Sequence, residues 1–291
     1  MNKQTKNVDS KNGMSDEISI LMATYNGIKF LPELLASLKA QTYSNWVLYV
    51  QDDLSTDGTS DYIFTEGVKD HRIKLLPNTE KLGAMKNFMT LLSRISSSYY
   101  MFCDQDDVWL PTKIEKTFCK MKEMEKGIDK NCPLVVHTDL CVVDENLKEI
   151  SPSFWDMSRI NPTLLKTFAE QAGHNLVTGC TMMINRQARD VSLVFSDKTL
   201  MHDAWVLFCS LKNNGVVGEV REPTILYRQH GKNTLGAHDL RSGYILKRLY
   251  AIKSVWKENV ANYKMLSSAG YGNIFKYIYY KMKYFVIYKK I

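Results

Sequence analysis

The sequence predicts an α/β fold, with a central mixed and mostly parallel sheet flanked by helices and a basic helical extension at the C-terminus. Short β-prone runs alternate with segments of helical periodicity, an order typical of a doubly wound sheet. Carboxylate clusters directly follow two of these runs. The extension is indicated by charge, because residues 241–291 carry a net charge of +10 and residues 1–240 one of −3.

The elements of the first half alternate regularly. A buried first strand opens the series, and the first helix carries leucines at positions 31, 34, 35 and 38, with Pro32 in its first turn. The predicted strands are Ile18–Ala23, Trp46–Val50, Ile73–Leu76 and Tyr99–Cys103, and the predicted helices are Phe30–Ala40, 58–67 and Leu82–Ile95.

Beyond residue 110 the pattern is less regular. We expect strands at Leu134–Val136, Thr181–Ile184, Val216–Val220 and Ile225–Tyr227, and helices at Pro162–Gln171 and His202–Leu211. The sequence divides into three regions. Residues 1–16 are expected to be a disordered tail, residues 17–236 a single α/β domain, and residues 237–291 a basic, aromatic-rich helical extension.

Composition limits the compartment and the partners. The six cysteines form no CxxC pair and no Cys/His cluster, which excludes a zinc-thiolate site. The polar N-terminus lacks the apolar core of a signal peptide. The sequence contains no run of about 18 apolar residues, the length that a bilayer-spanning helix needs. We therefore expect a cytoplasmic protein with reduced thiols. Charge alone leaves nucleic acid and an anionic membrane open as partners of the extension.

The strongest candidate site is Asp104-Gln105-Asp106-Asp107 after the fourth strand. Three carboxylates within four residues repel one another when buried without a cation. Oxygen-rich sites of this kind suit Mg²⁺ or Mn²⁺ together with phosphate oxygens. A solvated acidic turn is the alternative.

Other strand ends carry candidate ligand-binding groups. Asp53 could accept hydrogen bonds from a ribose or a base, or cap the following helix. In Thr24-Tyr25-Asn26-Gly27, the glycine allows close approach of a ligand and the tyrosine can stack on a base, although a plain turn explains the segment equally well.

Two candidates come from the second half. Asp203 could deprotonate an acceptor hydroxyl or simply cap its helix. In the loop from Tyr227, His230 could complete a metal shell, and Arg228 or Lys232 could meet phosphate, although an exposed basic loop is the plainer interpretation.

Taken together, these motifs resemble the family 2 glycosyltransferases with the GT-A fold. The resemblance covers about residues 17–236 and is strong because seven motifs occur in register. The matching segments are ISILMATYNG (18–27), QDDLSTDGT (51–59), NTEKLGAMKNF (78–88), DQDDVW (104–109), TGCTMMINR (178–186), HDAW (202–205) and YRQHGKN (227–233). The forms DQDDVW, HDAW and YRQHGKN are most similar to the rhamnosyltransferase-like branch, whose members build capsule, O-antigen and cell-wall polysaccharides.

The resemblance implies roles position by position. The nucleotide-binding residues would be Thr24, Tyr25, Asn26, Asp53, Asn78, Lys81, Asp104 and Arg228. Asp104 and Asp106 would grip the diphosphate through Mn²⁺ or Mg²⁺, with His230 as a further metal ligand. Asp203 would be the catalytic base of an inverting displacement. Many members carry Glu-Asp where this chain has His202-Asp203, which leaves the role of His202 open.

The resemblance also implies partners. The donor would be a dTDP- or UDP-sugar, and the acceptor a glycan or glycolipid at the inner face of the plasma membrane. Residues 273–291 interleave lysine with aromatics, which favours contact with an anionic membrane, while packing on the same domain or in a homodimer is the alternative. Nucleic acid is not an expected partner. A catalytically inactive glycan- or membrane-binding module and a sugar-1-phosphate nucleotidyltransferase are the rival functions, and the latter lacks its Gly-rich phosphate loop.

Overall fold

A single mixed sheet organises the chain, and its strand order is β3-β2-β1-β4-β8-β6-β9-β5, with β7 paired to β6. The computed structural model describes residues 16–163, 167–173, 175–231 and 252–288, with backbone alone for 252–255 and 284–288. The strands are β1 (Ile18–Thr24), β2 (Trp46–Asp52), β3 (Ile73–Leu76), β4 (Tyr99–Cys103), β5 (Val108–Trp109), β6 (Leu134–Val143), β7 (Glu149–Ser151), β8 (Met183–Asn185) and β9 (Val216–Arg228).

The sheet is mixed and mostly parallel, as the sequence predicts. Strands β1, β2, β3 and β4 run parallel, and β6 pairs with β9 in parallel. Strand β8 lies antiparallel between β4 and β6. Strands β1 and β4 are buried almost throughout, because helices cover both faces of the sheet.

The helices form two layers. They are α1 (Leu31–Lys39), α2 (Thr59–Lys69), α3 (Ala84–Arg94), α4 (Lys113–Glu125), α5 (Phe154–Met157), α6 (Phe168–Gly173), α7 (Arg186–Ser192), α8 (His202–Lys212), α9 (Ile252–Ser268) and α10 (Ile274–Tyr288). Helices α1, α2 and α4 cover one face of the sheet. Helices α3, α7, α8 and α9 cover the other face, together with Tyr277 of α10.

The first half of the chain confirms the predicted elements to within a few residues. Each of the seven elements between Ile18 and Cys103 is present. The described part of the C-terminal extension is helical, as expected. The predicted tail lies outside the described residues apart from Asp16. Within the described residues, no helix is both long and apolar enough to cross a membrane.

The second half differs from the prediction in several places. The strand expected from Thr181 begins only at Met183, because Gly179–Thr181 form a 3-10 turn, and the strand expected at Leu134–Val136 continues to Val143. Helix α6 begins at Phe168, whereas Pro162 and Thr163 form a turn. The prediction that this helix starts at Pro162 is therefore wrong. Strand β9 is one strand of 13 residues instead of two, with register shifts where it pairs with β6. Helix α4 was not predicted; Ile114, Phe118 and Met121 form its buried face.

Candidate active site

The carboxyl ends of the central parallel strands meet at one edge of the sheet. Thr24 at the end of β1 is paired with Asp52 at the end of β2, and Cys103 at the end of β4 is paired with Met22. The acidic segments 52–53 and 104–107 therefore emerge at the same edge of the sheet, on either side of β1, as their positions at strand ends predict.

The Asp52 carboxylate holds the first of these loops together. It accepts hydrogen bonds from Thr24 Oγ1 (2.9 Å), Ser55 Oγ (2.5 Å) and Ser60 Oγ (2.8 Å). A fourth bond comes from the backbone N–H of Ser55 at 2.8 Å. The hydroxyl of Thr24 is thus directed at Asp52, and its predicted contact with a nucleotide stays a prediction.

Asp53 is buried and anchors the segment before α3. Its two oxygens accept the backbone N–H groups of Leu82 (2.6 Å) and Gly83 (2.9 Å). Gly83 has φ +76°, a conformation that other residues rarely adopt. The structure therefore gives Asp53 a role in shaping this edge, while its role in nucleoside binding stays a prediction.

Tyr25 and Lys81 come together across the loop edge. Lys81 Nζ lies 3.7 Å from the centre of the Tyr25 ring, and Tyr25 is 43% exposed. Gln105 clamps the Tyr25 backbone, because its Oε1 accepts the N–H at 2.8 Å and its Nε2 donates to the C=O at 3.1 Å. Sequence reasoning missed Gln105, since nothing in the run DQDD distinguishes its amide from a solvent-exposed one.

The two predicted asparagines are held by hydrogen bonds within the protein. Asn26 has φ +49°, and its Oδ1 accepts the N–H of Thr56 at 2.9 Å. Asn78 Nδ2 donates to the Asp52 carbonyl at 2.9 Å. Asn78 also lines a cleft of about 620 Å³, together with Asp52, Leu54, Ser55, Thr56, Ser60, Leu75, Leu76 and Pro77. This cleft opens beside the strand ends.

Three of the predicted functional carboxylates, those of Asp104, Asp106 and Asp203, lie near enough for their charges to interact. Burial, followed by the nearby charges of Asp106 and Asp203, raises the pKa of Asp104 to about 7. Asp203 lies in the first turn of α8, where burial raises its pKa to about 6. The Asp203 carboxylate is oriented by the backbone N–H groups of Gly179 (3.1 Å) and Ala204 (2.6 Å).

His202 lies beside the predicted base but in an apolar environment. The residue is 2% exposed. Its ring stacks on that of Phe88, with the ring centres 4.0 Å apart, and its centre lies 4.7 Å from that of the Phe102 ring. Neither ring nitrogen has a hydrogen-bond partner among the described residues. A Cβ at Gly179 would lie 2.8 Å from His202 Nε2, so the glycine leaves room for the ring.

His230 lies against the acidic cluster, and its predicted role as a metal ligand stays a prediction. Its Nε2 lies 2.7 Å from Asp106 Oδ2, and its ring stacks on Phe30 at 4.8 Å. The contact of Phe30 with His230 was not predicted, because nothing in the sequence around Phe30 indicates a partner 200 residues away.

Arg228 is directed into the protein. It is 2% exposed, with Nε donating to the Asp106 carbonyl at 2.8 Å and a terminal nitrogen to the Glu145 carbonyl at 2.6 Å. The other terminal nitrogen pairs with the Glu33 carboxylate. The predicted phosphate contact is untested, and the observed donors instead brace the loop that carries Asp106.

Beneath these groups lies a buried polar cluster. Ligand atoms of Asp104, Asp107 and Cys180 lie within 4.8 Å of one another. Lys113 is fully buried, its Nζ has no hydrogen-bond partner among the described residues, and burial lowers its pKa to about 8. Asp107 Oδ1 accepts the N–H of Arg228 at 3.1 Å.

The donor set fits a hard divalent cation. Among the described residues, Asp107 Oδ2 is buried without an N–H or O–H donor, and it lies next to two further carboxylates and the Cys180 thiol. Burial raises the pKa of the Cys180 thiol, so this group stays protonated and is a poor ligand. Carboxylate oxygens from Asp104 and Asp106 and the imidazole of His230 are ligands that Mn²⁺ or Mg²⁺ accepts.

Comparison with known proteins identifies the class to which this fold and site belong. The family model described as glycosyl transferase family 2 matches residues 19–190. The chain belongs to this family, and its relatives include a rhamnosyl transferase, as its motifs predict. It is 30% identical over 253 residues to the dTDP-rhamnosyl transferase RfbG of Shigella flexneri, covering 81% of this chain and 80% of RfbG.

Two further proteins are informative. The UDP-Glc:alpha-D-GlcNAc-diphosphoundecaprenol beta-1,3-glucosyltransferase WfgD of Escherichia coli is 36% identical over 104 residues, covering 36% of this chain and 40% of WfgD. The mannosyltransferase PcManGT from Pyrobaculum calidifontis, solved with GDP-Man and Mn²⁺, matches with a TM-score of 0.54 at 16% identity, covering 87% of this chain and 72% of PcManGT. The GT-A fold predicted from the motifs is thereby confirmed.

Proposed function

We propose that this chain is an inverting, metal-dependent glycosyltransferase that moves a sugar from a nucleoside-diphosphate donor to a hydroxyl of a growing bacterial surface polysaccharide. The observation that carries the proposal is the convergence of Asp104, Asp106 and Asp203 at the carboxyl edge of the sheet. An acidic cluster there supplies both a cation site and a base, the two functions that transfer from a diphosphate requires.

The donor is proposed to be dTDP-rhamnose or a UDP-hexose. Tyr25, with Lys81 over one face of its ring, offers an exposed aromatic surface for a nucleobase. The cleft beside Asp52 and Asn78 lies at the same strand ends. Similarity to a dTDP-rhamnosyl transferase supports the first donor, and the UDP-Glc in the name of WfgD supports the second.

Asp104, Asp106 and His230 would hold Mn²⁺ or Mg²⁺. A bound divalent cation supplies positive charge where the leaving diphosphate becomes more negative. Arg228 and Phe30 position this ligand set, the first through the Asp106 carbonyl and the second through the His230 ring. The Mn²⁺ in the PcManGT structure supports this choice of metal.

Asp203 would act as the general base. Its pKa of about 6 leaves the carboxylate largely ionised at neutral pH, and two backbone N–H groups fix its orientation. The acceptor hydroxyl gives its proton to Asp203 while its oxygen bonds to the anomeric carbon. The bond from that carbon to the diphosphate oxygen breaks on the opposite face, and the configuration inverts.

The acceptor is proposed to be lipid-linked, and the enzyme to act at the cytoplasmic face of the plasma membrane. The diphosphoundecaprenol substrate in the name of WfgD supports such an acceptor. The basic C-terminal extension supports contact with an anionic membrane surface.

Thermal stabilisation by a panel of nucleotide-sugars, with and without Mn²⁺, tests the proposal. A ligand present at a hundredfold excess over its dissociation constant should add about 2.7 kcal/mol of stability. Asp104→Asn/Asp106→Asn should abolish the metal-dependent part, and Asp61→Asn, an exposed carboxylate on α2, is the matched control.

Catalysis is tested separately by sugar transfer and by donor hydrolysis. Asp203→Asn should abolish transfer while donor binding persists, since this variant leaves the metal ligands intact. If no nucleotide-sugar stabilises the parent, and the double variant behaves like the parent, the chain is an inactive binding module.

A further inference from the structure

Helix α10 presents two unlike faces. Tyr277 is 3% exposed and packs into the core between the sheet and the second helix layer. On the other side, Phe275, Ile278, Tyr279 and Met282 are 79%, 42%, 59% and 63% exposed. Positions i, i+3, i+4 and i+7 lie on one side of a helix, so these four residues form a continuous apolar surface, here called the docking stripe.

The orientation of the stripe is fixed by the rest of the fold. Besides Tyr277, the interhelical residue Tyr271 is buried, and Lys283 lies 3.8 Å from Glu170 on α6. Helix α10 therefore cannot rotate to bury the stripe without exposing Tyr277. A contiguous exposed apolar surface on a folded protein marks an interaction site more often than isolated exposed residues do.

The charge on α10 itself has a single sign. Residues 274–288 contain Lys276, Lys281 and Lys283 and no acid, and residues 241–291 carry a net charge of +10. Trp256 on α9 is 67% exposed, and tryptophan and tyrosine are enriched where proteins meet the membrane interface. An apolar stripe flanked by lysines complements the headgroup region of an anionic bilayer.

We propose that the docking stripe inserts into the interface of an anionic membrane, with α10 lying in the membrane plane. The inference rests on the proposed function only in that docking would bring the active site to a lipid-linked acceptor. A second copy of the chain is a weaker fit, because a symmetric contact through α10 would oppose two copies of a helix that carries three lysines and no acid.

The test uses the full chain and vesicles of neutral lipid with or without about one third phosphatidylglycerol. The parent should co-sediment with the anionic vesicles only, and less so at high salt. Phe275→Ser/Met282→Ser should weaken this binding by at least about tenfold, since it removes the two most exposed members of the stripe. Phe64→Ser is the matched control, because Phe64 is 65% exposed on α2, and its binding should equal that of the parent.

Two results would overturn the proposal. One is equal vesicle binding by the double variant and the parent. The other is a parent dimer that Phe275→Ser/Met282→Ser converts to monomer, with no vesicle binding by either. Metal-dependent donor stabilisation should be unchanged in the double variant, which separates this proposal from the proposed function. Vesicle binding without transfer would refute the enzyme and leave the docking stripe standing.

Discussion

Replacing His202 should change how the stability of this protein depends on pH. The ring is buried between Phe88 and Phe102, and burial lowers the pKa of His202 from 6.5 to about 3. The unfolded chain takes up a proton below pH 6.5, whereas the folded imidazole does not until about pH 3. The parent therefore loses stability through this residue as the pH falls across that window.

The size of the effect follows from the two pKa values. Each pH unit between them changes the free energy of unfolding by about 1.4 kcal/mol. Lowering the pH from 7 to 5 should cost the parent about 2 kcal/mol through His202. His202→Gln and His202→Leu cannot titrate, so their stability relative to the parent should rise by about 2 kcal/mol over the same interval. Asp104 and Asp203 also titrate there, but both are present in every protein compared, so their contributions cancel to first order.

Urea unfolding followed by tryptophan fluorescence at the two pH values measures this difference. His71→Gln, which removes an exposed histidine, is the matched control variant. If both His202 variants differ from the parent by the same free energy at pH 7 and at pH 5, the imidazole is not held neutral by burial and the reasoning fails.

Four further substitutions test contacts around the site, each by urea unfolding. Arg228→Ala should cost about 3 kcal/mol, because it removes a buried charge and leaves two carbonyls without a donor; a loss below about 0.5 kcal/mol would contradict this. Gly27→Ala and Gln105→Ala should each lower the free energy of unfolding by about 1 kcal/mol, because a Cβ at Gly27 would displace the Gln105 amide that clamps Tyr25. The double variant should lose little more than either single variant, and additive losses would refute the shared contact. Asn185→Ala should cost about 2 kcal/mol, because the side chain bonds three backbone groups, and an unchanged midpoint would refute that role.

The sequence predicted the first half of the fold because its determinants are local. Strands β1 to β4 are short apolar runs, and α1 and α3 show helical periodicity with few interruptions. Helix α4 has the same periodicity in Ile114, Phe118 and Met121, but dense Lys and Glu between them obscure it. Strand β9 contains Pro223, which suggests a break, yet the structure accommodates it at a register shift against β6.

Convergence of the site was predictable, whereas the individual contacts were not. Parallel strands bring their carboxyl ends to one edge, so Asp53 and Asp104 were expected at the same edge once the sheet was inferred, and β1 lies between their strands. The inward direction of Arg228 depends on Glu33 and Glu145, which are distant in sequence and join it only through tertiary packing. No local pattern encodes such a contact.

The acidic residues of this edge look alike in the sequence, and their hydrogen bonds separate them. Asp52 accepts four hydrogen bonds and Asp53 two, all from groups that shape the neighbouring loops. Burial, followed by the charges of Asp106 and Asp203, raises the pKa of Asp104, and the nearby Lys113 offsets this only in part. Carboxylates that stabilise the fold are satisfied by donors, and carboxylates that repel one another at a cleft require a ligand cation. That contrast makes Asp104 and Asp106, rather than Asp52, the residues whose substitution should remove metal binding while leaving the loops intact.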